Sequence, residues 1–222
     1  NLGLLELIRS KRESSWKPTA EELKKGFRGW HQRGYLPHFD APGVTQFVTI
    51  QLYDSFPVTR NVEFESILRE ADDSAKRRKL EEWLDRGYGE CWLRRKDVAE
   101  LTEKILREKN LRDYRLQAWV IMANHIHLAV DVWDVPLGKL IHDWKGKSSR
   151  EINQLLQRRG KLWQEDYFDT VVRDEAHLKR AVRYTEQNPV GAFLVRMARD
   201  WPWGSAATSP PVVSSAYKSL SP

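Results

Sequence analysis

The sequence predicts an α+β domain in which an antiparallel sheet carries helices on one face. Four short segments alternate apolar and polar residues or are rich in strand-forming residues, and helical segments lie between most of them. Only Ala123 and Asn124 separate the two middle strands, which is too short for a crossover helix, so these strands form a hairpin or one bent strand pair. This βαββαβ-like order is typical of a ferredoxin-like layer.

Each element follows from the spacing of its apolar residues, at every second position in strands and at every third or fourth in helices. Acidic residues and prolines mark the helix ends. In chain order we predict a strand at 46–52, a helical region at 62–87, a helix at 97–109 capped by Asp97, strands at 114–122 and 125–132, a helix at 137–156, a strand at 167–172, and a helix at 174–188 that ends before Pro189.

Length and composition indicate where this domain begins and ends and what kind of segments flank it. The chain has 222 residues, of which 41% are hydrophobic and 31% are charged, as in a globular protein of one domain with appendages. Residues 1–40 are polar and basic and contain helix-breaking glycines, so we predict an arm on the surface. Residues 41–200 form the predicted domain, and the Ser/Pro-rich residues 201–222 form a predicted flexible tail.

Charge permits a nucleic-acid partner. Thirty-seven Lys and Arg against 31 Asp and Glu leave a formal net charge of +6, and six basic residues lie between Trp144 and Lys161. Lys145, Lys147 and Arg150 are therefore candidates for contacts with a phosphate backbone. The chain also has 10 tryptophans, whose rings can stack on unpaired bases, although most are expected to pack inside the fold.

Several other classes are not expected. No stretch reaches the roughly 20 apolar residues of a membrane span, and the first ten residues do not have the pattern of a secretory signal. The single cysteine, Cys91, excludes an internal disulfide and a cysteine-built zinc site, and it suits a reducing cytoplasm. The sequence Gly146-Lys147-Ser148 lacks the upstream glycine and the strand of a P-loop, so an ATPase is not expected.

The first candidate for chemistry is His125-Ile126-His127. On a strand, residues two apart point to the same face, so both imidazoles can reach one metal ion while Ile126 points into the core. The alternative is a pair of structural histidines whose ring nitrogens are satisfied by hydrogen bonds.

The second candidate is the pair Tyr184 and Asn188, which share one face of the last helix at a spacing of four residues. A phenol with a pKa of about 10 is a poor nucleophile, but it can attack a phosphodiester when a cation neutralises the charge. The Asn188 carbonyl oxygen is a hard donor suited to such a cation. Alternatively, Tyr184 packs in the core and Asn188-Pro189 is a helix stop.

Together, these residues resemble the REP-associated tyrosine transposases, a bacterial branch of the single-tyrosine HUH transposases. The HUH motif is 125–127, within 119–127, and the tyrosine motif runs over 183–190. Further matching blocks lie at 34–40, 87–93, 162–169 and 201–203, so the resemblance covers roughly residues 29–206. Each motif is weak alone, and their order and spacing make the set specific.

The resemblance implies a ferredoxin-like core and a metal-dependent endonuclease. His125, His127 and Asn188 would hold one Mg²⁺ or Mn²⁺, and Tyr184 would be the nucleophile. The substrate would be single-stranded DNA with palindromic REP-like hairpins, cleaved and rejoined through a 5′-phosphotyrosine without hydrolysis. The implied location is the bacterial cytoplasm, at the nucleoid, with no membrane partner. In the wider family the tyrosine helix can come from a partner subunit, so both a monomer and a homodimer remain open.

Two positions depart from the usual pattern. Family members usually have Pro where Ala123 stands, and Ile or Val where Thr185 stands, and neither position carries chemistry. Two alternative functions remain. A host-retained protein could bind hairpins without cleaving them, although such a binder needs no phenol facing a metal. A metal hydrolase of another kind would leave Tyr184 far from the histidines.

Overall fold

The computed structural model describes residues 17–33, 36–70 and 72–208. In chain order its helices and strands are α1 (Ala20–Lys25), β1 (Gly29–Arg33), β2 (Leu36–Asp40), β3 (Val44–Gln51), α2 (Asn61–Leu68), α3 (Asp73–Asp85), α4 (Lys96–Arg107), β4 (Tyr114–Ile121), β5 (His125–Val132), α5 (Leu137–Leu155), β6 (Phe168–Val171), α6 (Glu175–Gly191) and α7 (Ser205–Thr208).

The central sheet has the spatial order β4-β5-β3-β6, and all three of its neighbouring pairs are antiparallel. Counted along the chain, these four strands lie in the order 2-3-1-4. Strands β4 and β5 form the hairpin that the two-residue connection predicts, and α4 and α5 are crossover helices on the connections between the other strands. The predicted ferredoxin-like α+β class is confirmed.

The pleat of β3 and β5 divides the domain into two faces. Val48 and Ile50 share one buried face with Ile126 and Leu128, and there they join a core cluster with apolar residues of α4 and α5. We call this the core face. It carries the two crossover helices on one side of the sheet, as predicted.

The opposite side of the sheet, which we call the site face, carries His125 and His127. Helix α6 packs against this face, because its Tyr184 ring lies 5.4 Å from the His127 ring and 5.7 Å from the Phe47 ring, centroid to centroid. Helices therefore cover both sides of the sheet, and the predicted placement of the helices on one face holds for the two crossover helices only.

Two buried side chains of β2, His38 and Asp40, hold the small β1–β2 hairpin to the edge of the domain. The ring of His38 is hydrogen-bonded to Asp169 on β6, and its Nε2 lies 3.3 Å from an Asp166 oxygen. Burial opposes a charge on this imidazole, but hydrogen bonds to the two aspartates outweigh burial and raise its pKa to about 10. Asp40 accepts a hydrogen bond of 3.1 Å from the backbone N–H of Leu137, at the start of α5.

The two ends of the predicted domain differ from expectation. Residues 1–16 and 34–35 of the predicted surface arm lie outside the described residues, but the arm's hairpin packs against the domain, with Phe27 and Phe39 buried. At the other end, residues 201–208 of the predicted flexible tail are ordered against β4. The Trp201 indole donates to the Ile121 carbonyl at 3.0 Å, and residues 209–222 lie outside the description.

Three predicted helix boundaries also shift. The helical region at 62–87 is two helices, α2 and α3. Asp97 lies within the first turn of α4 rather than at its N-cap, which is Arg95. Helix α6 continues through Pro189 to Gly191, with the proline in its last turn. Among the described residues, no helix is long and apolar enough to cross a membrane.

Candidate active site

Hydrogen bonds fix which nitrogen of His125 is free. The Asn124 amide nitrogen donates to the Tyr88 carbonyl at 3.1 Å, so the Asn124 oxygen faces the other way, 2.8 Å from Nδ1 of His125. An amide oxygen can only accept, so Nδ1 of His125 carries the proton and donates it. The lone pair of His125 is therefore on Nε2, which points into the site and has no hydrogen-bond partner.

His127 has a matching arrangement. Its Nδ1 lies 2.9 Å from the hydroxyl of Thr49 on the neighbouring strand, and its buried Nε2 is without a partner. The two rings are 4.6 Å apart, centroid to centroid. Burial lowers the pKa of His125 to about 3 and takes the pKa of His127 well below its usual value, so both imidazoles are neutral at physiological pH and able to bind a metal.

Helix α6 brings Tyr184 and Asn188 to the same place. Its N-cap, Asp174, accepts a hydrogen bond of 2.7 Å from the backbone N–H of His177. One face of the helix lies on the sheet, where Asn188 donates from Nδ2 to the Tyr184 hydroxyl at 3.3 Å. The Asn188 oxygen is consequently turned away from the phenol, buried and without a partner.

The three predicted ligands thus present three buried donor atoms, Nε2 of His125, Nε2 of His127 and Oδ1 of Asn188, each with no hydrogen-bond partner. A buried polar atom without a partner is unfavourable by about 1–3 kcal/mol unless something completes it. Two imidazole nitrogens and an amide oxygen are donors that suit Mn²⁺ or Mg²⁺, so the residues fit the metal that the resemblance implies. As the described side chains stand, no three His, Cys, Asp or Glu residues lie close enough together to hold a metal, so the set of three donors depends on the Asn188 amide.

Acidic side chains from α3 border this group. An Asp85 oxygen lies 3.9 Å from Nε2 of His125, and burial raises the pKa of the Asp85 carboxyl to about 6. Burial also raises the pKa of Tyr184 strongly. The negative charges of Glu81 and Asp85 and a hydrogen bond to Glu81 raise it further, against a smaller opposing effect of Asn188. Within the chain alone, the phenol is held protonated.

The three predicted DNA-contacting residues lie elsewhere. Lys145, Lys147 and Arg150 are on α5, which packs on the core face rather than the site face. The Lys145 ammonium donates to the backbone carbonyls of residues 164, 165 and 166 at 2.9–3.1 Å, so it holds a loop. Lys147 pairs with Glu108 at 2.6 Å, and Arg150 is exposed.

Sequence reasoning did not find Asp85, Glu81, Thr49 or Asn124. Glu81 and Asp85 are one turn apart on a helix, which marks a shared face but not what that face meets. The run of Lys and Arg at 76–79 beside them is typical of a solvated helix face. Asn124 precedes the His125-Ile126-His127 motif directly, and an amide next to a candidate ligand was the available signal for a side chain that orients it.

Comparisons with known proteins bear on this site. Residues 88–188 match the family model described as Transposase IS200 like. Over 107 residues the chain is 25% identical to the REP-associated tyrosine transposase of Escherichia coli strain K12, which covers 47% of this chain and 62% of that protein. The chain thus spans under two thirds of this curated relative. The resemblance to REP-associated tyrosine transposases is confirmed.

One solved structure shares this fold. The structure of a REP-associated tyrosine transposase bound to a REP hairpin has a TM-score of 0.51 and 14% sequence identity, over 80% of this chain and 83% of that one. A putative transposase from Deinococcus radiodurans R1 reaches a TM-score of only 0.32, at 16% identity, over 71% of this chain and 96% of that one. At this level of identity, the likeness to the REP-associated tyrosine transposase structure shows a shared fold.

Proposed function

We propose that this protein cleaves and rejoins single-stranded DNA beside REP-like hairpins through a covalent bond to Tyr184. The observation that carries the proposal is the meeting, within one chain, of a tyrosine hydroxyl with three buried donor atoms that have no other partner. A pure hairpin-binding protein has no use for such a group, and a hydrolase of another kind gives no reason for Tyr184 to lie beside His127.

The bond changes follow from the groups present. The Tyr184 oxygen attacks the phosphorus, the bond from phosphorus to the 3′ oxygen breaks, and the departing 3′ oxygen takes a proton from water. The products are a free 3′-hydroxyl and a 5′-phosphotyrosine. The phenolic proton passes to the Glu81 carboxylate, to which the hydroxyl is hydrogen-bonded. Reversal with a different 3′-hydroxyl rejoins the strand, so the bond energy is kept and no added energy source is required.

His125, His127 and Asn188 would hold a Mg²⁺ or Mn²⁺ ion. When bound, the ion supplies positive charge that polarises the scissile phosphate and favours the ionised phenol, whose pKa the chain alone raises. Asn188 has two functions, because its nitrogen orients the Tyr184 hydroxyl while its oxygen faces the ligand position. Asn124 and Thr49 hold the two imidazoles with their Nε2 atoms facing inward.

The test uses the full chain with labelled single-stranded oligonucleotides that carry palindromes, in Mg²⁺ or Mn²⁺. We expect a DNA–protein adduct that survives denaturation, absent in Tyr184→Phe and in His127→Ala. Tyr53→Phe is the matched control, since it removes the same hydroxyl from a half-exposed ring, and its adduct should equal that of the native chain. Hairpin binding without an adduct under either metal would replace the proposal with the binding function.

A further inference from the structure

We infer that Asp85 is a fourth ligand of the same metal ion and supplies its anionic donor, an inference that rests on the proposed function. Asp85 ends helix α3 and lies before residue 88, where the match to the transposase family model begins. The segment between β3 and α4 would thus contribute directly to the chemistry.

The distance between Asp85 and His125 favours a shared cation. The Asp85 oxygen and Nε2 of His125 are 3.9 Å apart, which is too long for a hydrogen bond, and Nε2 has no other partner. Two donors bound to one ion at about 2.1 Å are about 3 Å apart when adjacent and about 4.2 Å apart when opposite. At 3.9 Å, the two atoms would become adjacent ligands if the partly exposed Asp85 side chain moved about 1 Å toward Nε2 when the ion binds.

The charge of the donor set supports the same conclusion. His125, His127 and Asn188 are all neutral, whereas Mg²⁺ and Mn²⁺ are hard cations that proteins usually bind through at least one carboxylate. Of the two carboxyl groups that border this set, Glu81 is hydrogen-bonded to the Tyr184 hydroxyl, whereas Asp85 lies beside a ligand nitrogen. The Asp85 side chain is also 33% exposed while the His125 side chain is 1% exposed, so Asp85 lies on the side from which an ion can enter.

The placement of Asp85 is specific within its helix. Glu82, one turn earlier, is exposed, whereas Glu81 faces the Tyr184 hydroxyl. Helix α3 is held by Trp83, which is buried and donates from its indole to the Ser55 carbonyl at 2.9 Å. This anchor lies two residues before Asp85, so it fixes the end of the helix against the sheet domain.

The experiment measures Mn²⁺ binding to the full chain by isothermal titration calorimetry, without DNA. We expect Asp85→Asn to raise the Kd for Mn²⁺ about tenfold or more, His127→Ala to abolish binding, and Glu82→Gln to leave the Kd unchanged. Glu82→Gln is the matched control, because it removes an equal charge from the same helix on the solvent side. In crystals soaked with Mn²⁺, the anomalous peak should lie within about 2.3 Å of an Asp85 oxygen.

The outcomes separate the two proposals. If His127→Ala abolishes binding while Asp85→Asn binds like the native chain, or if the Mn²⁺ peak lies more than about 3.5 Å from Asp85, this inference is overturned and the His-His-Asn metal site stands. If the native chain binds no Mn²⁺, both proposals fail together. If Glu82→Gln weakens binding as much as Asp85→Asn, the effect is one of general charge and Asp85 is not a ligand.

Discussion

The two faces of the central sheet differ in how they treat buried polar groups. On the core face, His38 is buried with both ring nitrogens near aspartates. Asp40 accepts a hydrogen bond from a backbone N–H at a helix N-terminus. By contrast, six of the seven buried side-chain polar atoms without a hydrogen-bond partner in the described chain lie on the site face or on α6, which packs against it. They belong to Gln51, His125, His127, Thr170, Thr185 and Asn188, and the seventh belongs to Gln46.

Under the proposed function, this difference separates a face whose buried ionisable groups are paired within the chain from a face that a ligand completes. Unpaired buried polar atoms are rare in native proteins because each is unfavourable by about 1–3 kcal/mol. Several such atoms lie near Tyr184, while His38 and Asp40 on the core face are paired. This pattern is expected where a metal and a phosphate complete a site. The following substitutions and conditions test this difference between the two faces, from the largest expected effect to the smallest.

The largest difference should appear between two adjacent residues of β5. Leu128 is fully buried on the core face, so Leu128→Ala should lower the free energy of unfolding by about 2–5 kcal/mol, through lost burial and a cavity. His127→Ala should cost clearly less, because it also removes a buried nitrogen that has no partner. Urea denaturation of the metal-free proteins measures both, and equal losses would show that the site face is not strained by its unpaired atoms.

The next largest effect is a dependence of the free energy of unfolding on pH, which comes from His38 on the core face. The pKa of His38 is raised to about 10 in the folded chain, against about 6.5 when unfolded. The folded state therefore holds an extra proton between these values, and its contribution to stability, fully present below pH 6.5, is lost as pH rises toward 10. The free energy of unfolding should fall by up to about 1.4 kcal/mol per pH unit in this window.

Urea denaturation at pH 7, 8 and 9 measures this slope. His38→Gln keeps a polar side chain of similar length but cannot titrate, so it should flatten the curve. A variant with the native slope would assign the pH dependence to another group.

The smallest effects separate two basic residues of α5. Lys145→Ala should lower the free energy of unfolding by about 1–3 kcal/mol, since its ammonium group donates to three carbonyls of the loop before β6. Arg150→Ala should leave stability within about 0.5 kcal/mol, because Arg150 is exposed. If Arg150 contacts phosphate, its removal should also lower the salt dependence of hairpin binding by about one ion. If Arg150→Ala lowers stability and Lys145→Ala lowers only the salt dependence of binding, then Arg150 is the structural residue and Lys145 the phosphate contact.

Much of this architecture can be predicted from local pattern. The alternation in β3 and β5 and the two-residue turn between β4 and β5 predict the hairpin and its register, because a period of two assigns every side chain to a face. The same period predicts that His125 and His127 point together. The spacing of Tyr184 and Asn188 on one helix predicts that they share a face.

Local sequence pattern does not predict which face of a helix packs against which face of the sheet. The packing of α6 on the site face depends on the path of the chain after β6. The approach of Asp85 depends on how the segment between β3 and α4 folds back on the domain. In the sequence, Lys145 is a basic residue in a basic stretch, which is typical of a phosphate contact. Only the position of the 164–166 loop shows that its ammonium group donates within the chain.

The route of α6 has a kinetic consequence. This helix begins four residues after β6 and lays Tyr184 against a histidine of its own chain, so under the proposed function every copy carries its own nucleophile and ligands. The rate per molecule of the first cut should then be independent of dilution, and mixing Tyr184→Phe with His127→Ala should restore nothing. One tyrosine can hold one 5′ end at a time. An exchange between two DNA ends therefore requires two copies acting side by side, or one copy that completes two cuts in succession.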